Sequence, residues 1–430
     1  MKTGPRIRLL AAAVLVSRLW PAPTPEENVF VARRDRLRSQ IHGRAVLYSG
    51  SEEPSGLDKN FYYLTGLAVS GAFLLLGSDS TADKLFLDPM KTPMAPADII
   101  QTSGVFFLFG RDQAGLFLSP NLSLDPDVYF PMVYRPSDPA YLYPSCLAIE
   151  QLLGSWPYYR RVNLSASLYA LRTVKDDGEI ALLAKAAEIT RRGLLTGLAL
   201  LRPGLYEFEL QKAIEDSFAS LGAARTSFPS IVGSGPNSLI LHYEENSRRM
   251  EPGEVVVVDV GAEYRHYAGD ITRTFPVSGF FTPRQREVYD VVLEMQRRVI
   301  AACRPGATLS SLDAVAKAYA VEKGFGSYFN FSGWRHGTCH SLGLDVHDPV
   351  SSSVLVPGMV ITVEPGLYLP AENLGVRLED DVLITAGGGV VLTAGIPREA
   401  ADIEAAMAGR GRDGLKTGAS SAIMKGGRKP

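Results

Sequence analysis

The amino-acid sequence predicts an α+β protein, with a small α/β domain first and a larger domain of helices outside curved antiparallel strands. In the first domain, short apolar runs alternate with turn residues from about Val29 to Ser155. In the second, two long helical patterns begin at capping boxes, formed by Asp176 with Glu179 and by Thr282 with Gln285. A second helical pattern follows each of these two, and a segment typical of a β-hairpin comes after it.

The first hairpin segment is EVVVVDVGAEYRHYAGDITRTFPV. Asp259 closes a run of four valines, which predicts a strand buried on both faces. A turn at the midpoint, near Tyr264-Arg265, would set Asp259 directly opposite Asp270. Directly opposed residues point to the same face of a sheet, with Cβ atoms roughly 4.5–5.5 Å apart. We therefore expect the two aspartates to form a close pair.

The second hairpin segment, MVITVEPGLYLPAENLGVRLEDDVLIT, repeats this arrangement with glutamates. A turn near Ala371-Glu372 would set Glu364 opposite Glu379. Buried carboxylates at such separations repel strongly unless they are protonated or paired with cations. Four carboxylates carry about the charge that two divalent metal ions would neutralise, so the acids in otherwise apolar strands indicate a metal site.

A weak internal repeat at an offset of 105 residues relates the two hairpins. Pro252-Gly253 matches Pro357-Gly358, and His242 in LHY matches His347 in VHD. The repeated unit is two helices, a histidine-bearing strand and an acid-bearing hairpin. Duplicated units of this kind tend to pack about a pseudo-two-fold axis, and a site on that axis would receive ligands from both copies.

A fifth candidate ligand lies in the segment WRHGTCHSLGLDVHD, which contains His336, His340 and His347. Three of the chain's six histidines fall here, between the two acidic hairpins. Glycines at 337 and 343 predict a loop leading into a strand rather than a helix. One histidine with four carboxylates favours hard or borderline divalent ions such as Mn²⁺, Co²⁺ or Zn²⁺. Two such ions can hold a hydroxide and polarise a carbonyl group.

Bulk properties exclude several classes of protein. A length of 430 residues suits two domains, and a hydrophobic content of 46% is ample for their cores. The net charge of −2 argues against a nucleic-acid partner. Three cysteines, Cys146, Cys303 and Cys339, form no disulfide framework. No stretch of 18 or more apolar residues is present, so we expect no integral membrane segment.

The two ends of the chain differ from the rest in composition. Residues 1–28 form a basic leader or disordered extension, with an apolar run from Leu9 to Val16. This pattern slightly favours export through an N-terminal signal over an organellar or cytoplasmic location. Residues 401–430 end in a stretch rich in Gly, Lys, Arg and Ser, which predicts a disordered basic tail.

These motifs together resemble the dinuclear-metal peptidases with the pita-bread fold. The segments GSGPNSLILHY, DVGAEYRHYAGDITRTFPV, HSLGLDVHD, ITVEPGLY and GVRLEDDVLIT are similar to the Xaa-Pro branch of that family, and KNFYYLTGL is similar to the N-terminal domain of aminopeptidase P. The likeness covers residues from Val29 to about Ala394. It implies an N-terminal domain over residues 29–162 and a pita-bread domain over 163–400.

The resemblance also implies a role for each matching residue. The implied metal ligands are Asp259, Asp270, His340, Glu364 and Glu379. Glu364 would also move protons from a water that bridges the two metals. His242 and His347 would contact the substrate and stabilise the tetrahedral intermediate. Arg377 would support the metal site or the substrate, and His336 would support the pocket.

The favoured function is therefore a metal-dependent exopeptidase that releases the N-terminal residue from peptides with proline in second position. We expect two bound divalent metal ions, with Mn²⁺ as the favoured metal. We also expect a homo-oligomer, either a dimer or a tetramer. The nearest alternative is prolidase, which cleaves only Xaa-Pro dipeptides. A non-catalytic binding protein on the same fold is a distant alternative, since all five ligands are present. Loops around Tyr243 and Trp334 are candidates for the wall of a proline pocket.

Overall fold

The computed structural model describes residues 28–50, 57–88, 92–117, 127–132, 134–135, 138–142, 144–154, 159–330 and 336–408. The leader up to residue 27, the tail from 409 and Trp334 lie outside the described residues. The chain divides into two compact units. The first runs to Val174 and includes Asp348–Ser353, and the second comprises the chain from Lys175 to His347 and from Val354 onward.

The described strands of the first unit are β1 Arg44–Tyr48, β2 Phe73–Leu76, β3 Lys84–Leu87, β4 Phe107–Gly110, β5 Asp127–Phe130, β6 Tyr134–Arg135, β7 Asp138–Leu142 and β8 Arg160–Asn163. Six of them form a mixed sheet with the strand order β4-β3-β2-β1-β5-β8. The helices are α1 Val29–Arg38, α2 Lys59–Thr65, α3 Pro96–Ser103, α4 Ala114–Phe117, α5 Pro144–Leu153 and α6 Ser165–Thr173.

An apolar core fills one side of this sheet. Val46, Phe73, Phe86 and Val128 pack there with the buried residues of α5. Strands β1 and β5 pair in parallel, whereas β1 and β2 pair antiparallel, so the sheet is mixed. The small α/β domain expected from the alternating apolar runs has this architecture.

The described part of the second unit contains five α-helices. They are α7 Asp177–Leu200, α8 Glu207–Ser220, α9 Pro283–Ala302, α10 Leu309–Glu322 and α11 Ala400–Ala408. Both predicted capping boxes are present, because Asp176 accepts from the Glu179 amide at 2.9 Å and Thr282 accepts from the Gln285 amide at 3.3 Å. Helix α11 occupies residues where the basic tail was expected to begin, which corrects that part of the prediction. None of the described helices is long and apolar enough to cross a membrane.

The strands of the second unit form small antiparallel sheets, which confirms the predicted α+β class. They are β9 Arg225–Thr226, β10 Ile231–Ser234, β11 Val255–Val260, β12 Ala262–Tyr264, β13 Tyr267–Ala268, β14 Ile271–Pro276, β15 Val360–Val363, β16 Gly366–Leu369, β17 Leu374–Arg377, β18 Asp380–Thr385 and β19 Gly388–Val391. Sheet β10-β11-β14 carries the first hairpin, and sheet β15-β18-β19 carries the second.

The internal repeat is visible as equivalent backbone hydrogen bonds. The amide of Gly204 donates to Met250 at 2.8 Å, and the amide of Gly306 donates to Leu355 at 2.9 Å. Both glycines have a left-handed φ, +84° and +89°, which a residue with a side chain adopts at a cost. The same arrangement of helix pair, turn and strand therefore occurs in both halves of the second unit.

The register of the first hairpin differs from the prediction. Strands β11 and β14 place Asp259 opposite Thr272, not opposite Asp270. The turn is centred on Arg265-His266, both with positive φ, one residue later than expected. A one-residue shift of the turn moves the pairing by two residues, so Asp270 still lies on the face of Asp259, as a diagonal neighbour.

The second hairpin has the predicted register. Val363 pairs with Asp380 and Gly366 pairs with Arg377, so the intervening Glu364 and Glu379 face each other. The turn is a short 3₁₀ segment, Pro370–Glu372, followed by Asn373 in the left-handed conformation. The predicted opposition of the two glutamates is thus confirmed by the pairs that flank them.

Candidate functional site

A cavity of about 950 Å³ lies in the second unit. The metal ligands, catalytic residues and supporting residues proposed from the sequence line it: His242, Asp259, Asp270, His336, His340, His347, Glu364, Arg377 and Glu379. These residues come from both halves of the repeat. The two hairpins and the loop before β15 therefore converge on one space, as the duplication predicted.

His340 lies at the centre of the acidic residues. Its Nε2 atom is 3.6 Å from Asp270 Oδ2, 3.5 Å from Glu364 Oε1 and 3.9 Å from Glu379 Oε1. Ligand atoms of Asp270, His340 and Glu379 all lie within 4.8 Å of one another. Donor atoms that surround a cation at about 2 Å have separations of roughly 3–4 Å. These residues are therefore spaced to share a metal ion.

Asp259 adds a free oxygen to this group. Its Oδ2 accepts from Arg377 Nη2 at 2.7 Å, whereas its buried Oδ1 has no hydrogen-bond partner among the described residues. A buried carboxylate oxygen without a partner is costly, and a cation in the cavity would satisfy it. The donor set, four carboxylates and one imidazole, thus fits divalent metal ions.

Burial and mutual repulsion shift the proton affinities of the acids. Burial, with repulsion from Asp259, raises the pKa of Glu379 to about 8. Burial and then the charge of Glu379 raise the pKa of both Asp270 and Glu364. Burial, followed by repulsion from His347, lowers the pKa of His340 to about 4. Near pH 7 the imidazole is neutral, as a metal ligand must be, and Glu379 holds a proton that a cation would displace.

The metal-free protein should accordingly lose stability as the pH rises. A carboxyl group whose folded pKa, about 8 for Glu379, exceeds an unfolded value of about 4.3 stabilises the fold at low pH. That contribution is lost as the pH rises through 8, so we expect Tm without metal to fall between pH 5 and pH 8. Thermal unfolding across this pH range measures the decrease in Tm, and Glu379→Gln should make that decrease smaller. A metal-free Tm that rises toward pH 8 would contradict the assignment.

Hydrogen bonds from neighbouring side chains hold two of the acidic residues in place. Thr272 Oγ1 donates to Glu379 Oε2 at 2.7 Å and accepts from Arg377 Nε at 3.3 Å. Arg377 Nη1 reaches the hydroxyl of Tyr368 at 3.1 Å, which in turn lies 3.0 Å from His336 Nε2. Arg377 therefore contacts Asp259 and, through Thr272, Glu379. Sequence reasoning missed Thr272 and Tyr368, since neither residue type signals a site by itself.

The two histidines of the repeat lie in loops, not in the strands that the repeat predicted. The rings of His347 and His340 pack edge to face with centroids 4.4 Å apart. His242 is solvent-exposed at the edge of the cavity. The expected loop around Tyr243 does line the cavity, through Ile240 and Leu241, whereas Tyr243 itself is buried.

Comparisons with known proteins agree with this geometry. The sequence profile of metallopeptidase family M24 matches residues 181–386. The Xaa-Pro aminopeptidase of Escherichia coli (strain K12) is 40% identical over 266 residues, which cover 56% of this chain and 60% of that protein. The Xaa-Pro aminopeptidase of Haemophilus influenzae is 33% identical over 435 residues, which cover 90% of this chain and 99% of that protein.

A solved structure of aminopeptidase P from E. coli, in a low-pH form, superimposes with a TM-score of 0.77 at 29% identity. The match covers 90% of this chain and 99% of that structure. Together with the family profile, it confirms the pita-bread α+β fold that the sequence resemblance implied.

Proposed function

This chain belongs to metallopeptidase family M24, and we propose that it is a metal-dependent exopeptidase that removes the N-terminal residue from peptides with proline in second position. One observation carries the proposal: four carboxylates and a neutral imidazole converge on a cavity of about 950 Å³. Such a set binds divalent cations and leaves room for a peptide end beside them.

Two bound divalent cations would supply a Lewis acid for the scissile carbonyl and an activated water at neutral pH. The ligands proposed to hold them are Asp259, Asp270, His340, Glu364 and Glu379. Glu364 is proposed to take a proton from a water held by the cations, because it lines the cavity and its Oε1 lies 3.5 Å from Nε2 of the proposed ligand His340. Its burial raises its pKa, which suits a group that must first accept and then return a proton.

The histidines at the edge of the cavity are proposed to act on the substrate. Burial, followed by repulsion from His242, lowers the pKa of His347, which favours the neutral imidazole. A neutral imidazole can donate an N–H to the carbonyl oxygen as negative charge develops there. His242 faces the same cavity and would orient the peptide. Arg377 keeps Asp259 in place through its 2.7 Å contact.

Selection of proline is proposed to rest on the apolar side of the cavity. Phe228, Pro229, Ile231, Ile240 and Leu241 line it there. The imide nitrogen of an Xaa-Pro bond carries no hydrogen, so recognition cannot depend on an N–H at that position. An apolar wall beside the metal ligands can instead contact the pyrrolidine ring and bury its methylene groups.

We expect cleavage of Xaa-Pro-Yaa peptides at the Xaa-Pro bond, and little cleavage of matched Xaa-Ala-Yaa peptides. A parallel measurement of kcat/KM on both series and on the Xaa-Pro dipeptide tests this. Burying the two extra ring methylenes is worth about 0.8 kcal/mol each, so a preference of at least tenfold is expected. Comparable rates on the alanine series would exclude the proposal, and activity confined to the dipeptide would move it to prolidase.

We also propose Mn²⁺ as the metal, with Co²⁺ or Zn²⁺ as substitutes, since oxygen donors predominate and one nitrogen is present.

A homo-oligomer, dimer or tetramer, is the proposed assembly. Stacked rings of Tyr206 and Phe208, with centroids 5.2 Å apart, are 41% and 50% exposed. Apolar surface of this kind supports contact with another subunit.

A further inference from the structure

Glu207, the first residue of α8, is a fully buried carboxylate outside the cavity. Its Oε1 atom accepts from the amide and the hydroxyl of Ser234, both at 2.7 Å. Its Oε2 atom accepts from the hydroxyl of Tyr243 and the amide of Arg248, both at 2.8 Å. An ionised carboxylate only accepts hydrogen bonds, and four short donors satisfy it well. Glu207 therefore joins the end of β10 to the loop over residues 241–248.

This loop carries His242 and is fixed at several points. Tyr243 is buried, and its hydroxyl also accepts from the Ser247 amide at 3.2 Å. Asn246, buried and in the left-handed conformation, accepts from the Val232 amide at 2.8 Å. Tyr243 is the anchor next to His242, so the ring position of Tyr243 determines where the backbone of His242 lies.

The imidazole of His242 has no such support of its own. It is exposed at the edge of the cavity and makes no hydrogen bond among the described residues. An exposed side chain with free rotamers is placed chiefly by its backbone. In contrast, Arg377 and His336 are both held by hydrogen bonds to Tyr368. The position of His242 therefore depends on the neighbouring anchor.

We propose that Glu207 and Tyr243 are positioning residues for the reaction, because their hydrogen bond fixes the loop that presents His242 to the substrate. This inference rests on the proposed function in one respect, the participation of His242 in turnover. A displacement of about 1 Å can cost on the order of 10²-fold in rate. Loss of the Tyr243 hydroxyl should thus reduce kcat without removing any group from the cavity.

The test is a double-mutant cycle with Tyr243→Phe and His242→Ala in the full chain. Tyr243→Phe should lower kcat roughly tenfold, with unchanged metal content. In the His242→Ala background the same substitution should lower kcat by less than about twofold. The effects of two substitutions are not additive when one residue acts through the other. An equal loss in both backgrounds would show that Tyr243 does not act through His242 and would overturn the proposal.

Tyr267→Phe is the matched control. Its hydroxyl donates to Glu179 Oε1 at 3.1 Å, so it is another buried tyrosine bonded to a glutamate in the first turn of a helix. Both phenylalanine variants should lower Tm, because each removes the buried hydrogen bonds of a tyrosine hydroxyl. Only Tyr243→Phe should lower kcat. The same kcat loss in Tyr267→Phe would also overturn the proposal.

A second measurement does not depend on activity. With ¹³C-labelled histidine, the chain gives ring signals from only six residues. Tyr243→Phe should shift or broaden the His242 signal, identified by its loss in His242→Ala, and leave that of His42 unchanged. If the wild type fails to cleave Xaa-Pro peptides, the proposed function fails and this spectrum alone decides the positioning role. An unchanged His242 signal would then overturn it.

Discussion

Replacing Glu364 with glutamine should abolish nearly all turnover while the protein remains folded. The substitution preserves the shape of the side chain, but it removes one of four carboxylates and the group placed to move the proton. General-base contributions are typically about 10²–10⁴-fold, and weaker metal binding adds to that loss. We expect kcat to fall by about 10³-fold or more, measured under saturating metal and substrate.

Glu372→Gln is the control for this substitution. Glu372 lies at the turn of the same hairpin, and its carboxylate pairs with Arg284 at 2.7 Å on the surface. Exposed ion pairs contribute little to stability, so this variant should keep full activity. A Glu364→Gln enzyme that retains more than a tenth of the normal kcat would refute the role assigned to Glu364.

Removal of metal should abolish activity to a similar extent. The cations are proposed to supply several kcal/mol of charge stabilisation, and about 1.4 kcal/mol corresponds to tenfold in rate, so a loss of at least about 10³-fold is expected. Chelation followed by dialysis, with metal analysis and assay of the same sample, measures this. Full activity in metal-free protein would exclude a metallopeptidase.

The pattern of reactivation tests the identity of the metal. Mn²⁺ or Co²⁺ should restore activity, whereas Mg²⁺ should not, because the imidazole of His340 suits transition metals better than Mg²⁺. Protein dialysed without chelator controls for losses during handling. Reactivation by Mg²⁺ as complete as by Mn²⁺ would contradict the proposed preference for transition metals.

The sequence predicted the second hairpin better than the first, and the turns explain the difference. The second turn contains Pro370 and Asn373, residues that mark a turn and tolerate its backbone conformation. The first turn is Arg265-His266. Both residues have a positive φ, but the sequence lacks the Asn-Gly pair that usually signals such a turn. Without that signal, the midpoint between Asp259 and Asp270 was the natural estimate, and it was wrong by one residue.

The repeat predicted that the two hairpins converge, but it did not predict the individual hydrogen bonds between them. Thr272 donates to Glu379 although 107 residues separate them, and Asp381 Oδ2 accepts from the amide of Asp270. Such contacts depend on how one hairpin packs on the other, which no local pattern specifies. The acidic residues could be identified as metal ligands because their burial in apolar strands requires a cation. Thr272 could not be identified as a site residue, because threonine is common in strands.

The division of the donors between the repeats has a thermodynamic consequence. Asp259 and Asp270 belong to the first half of the second unit, and His340, Glu364 and Glu379 belong to the second half. A cation held by both halves binds only when they are docked, so its binding energy adds to their association. At a free metal concentration of 100 times Kd, each ion adds about 2.7 kcal/mol to the free energy of unfolding. The cellular supply of metal would then set the resistance of the folded chain to proteolysis as well as its turnover.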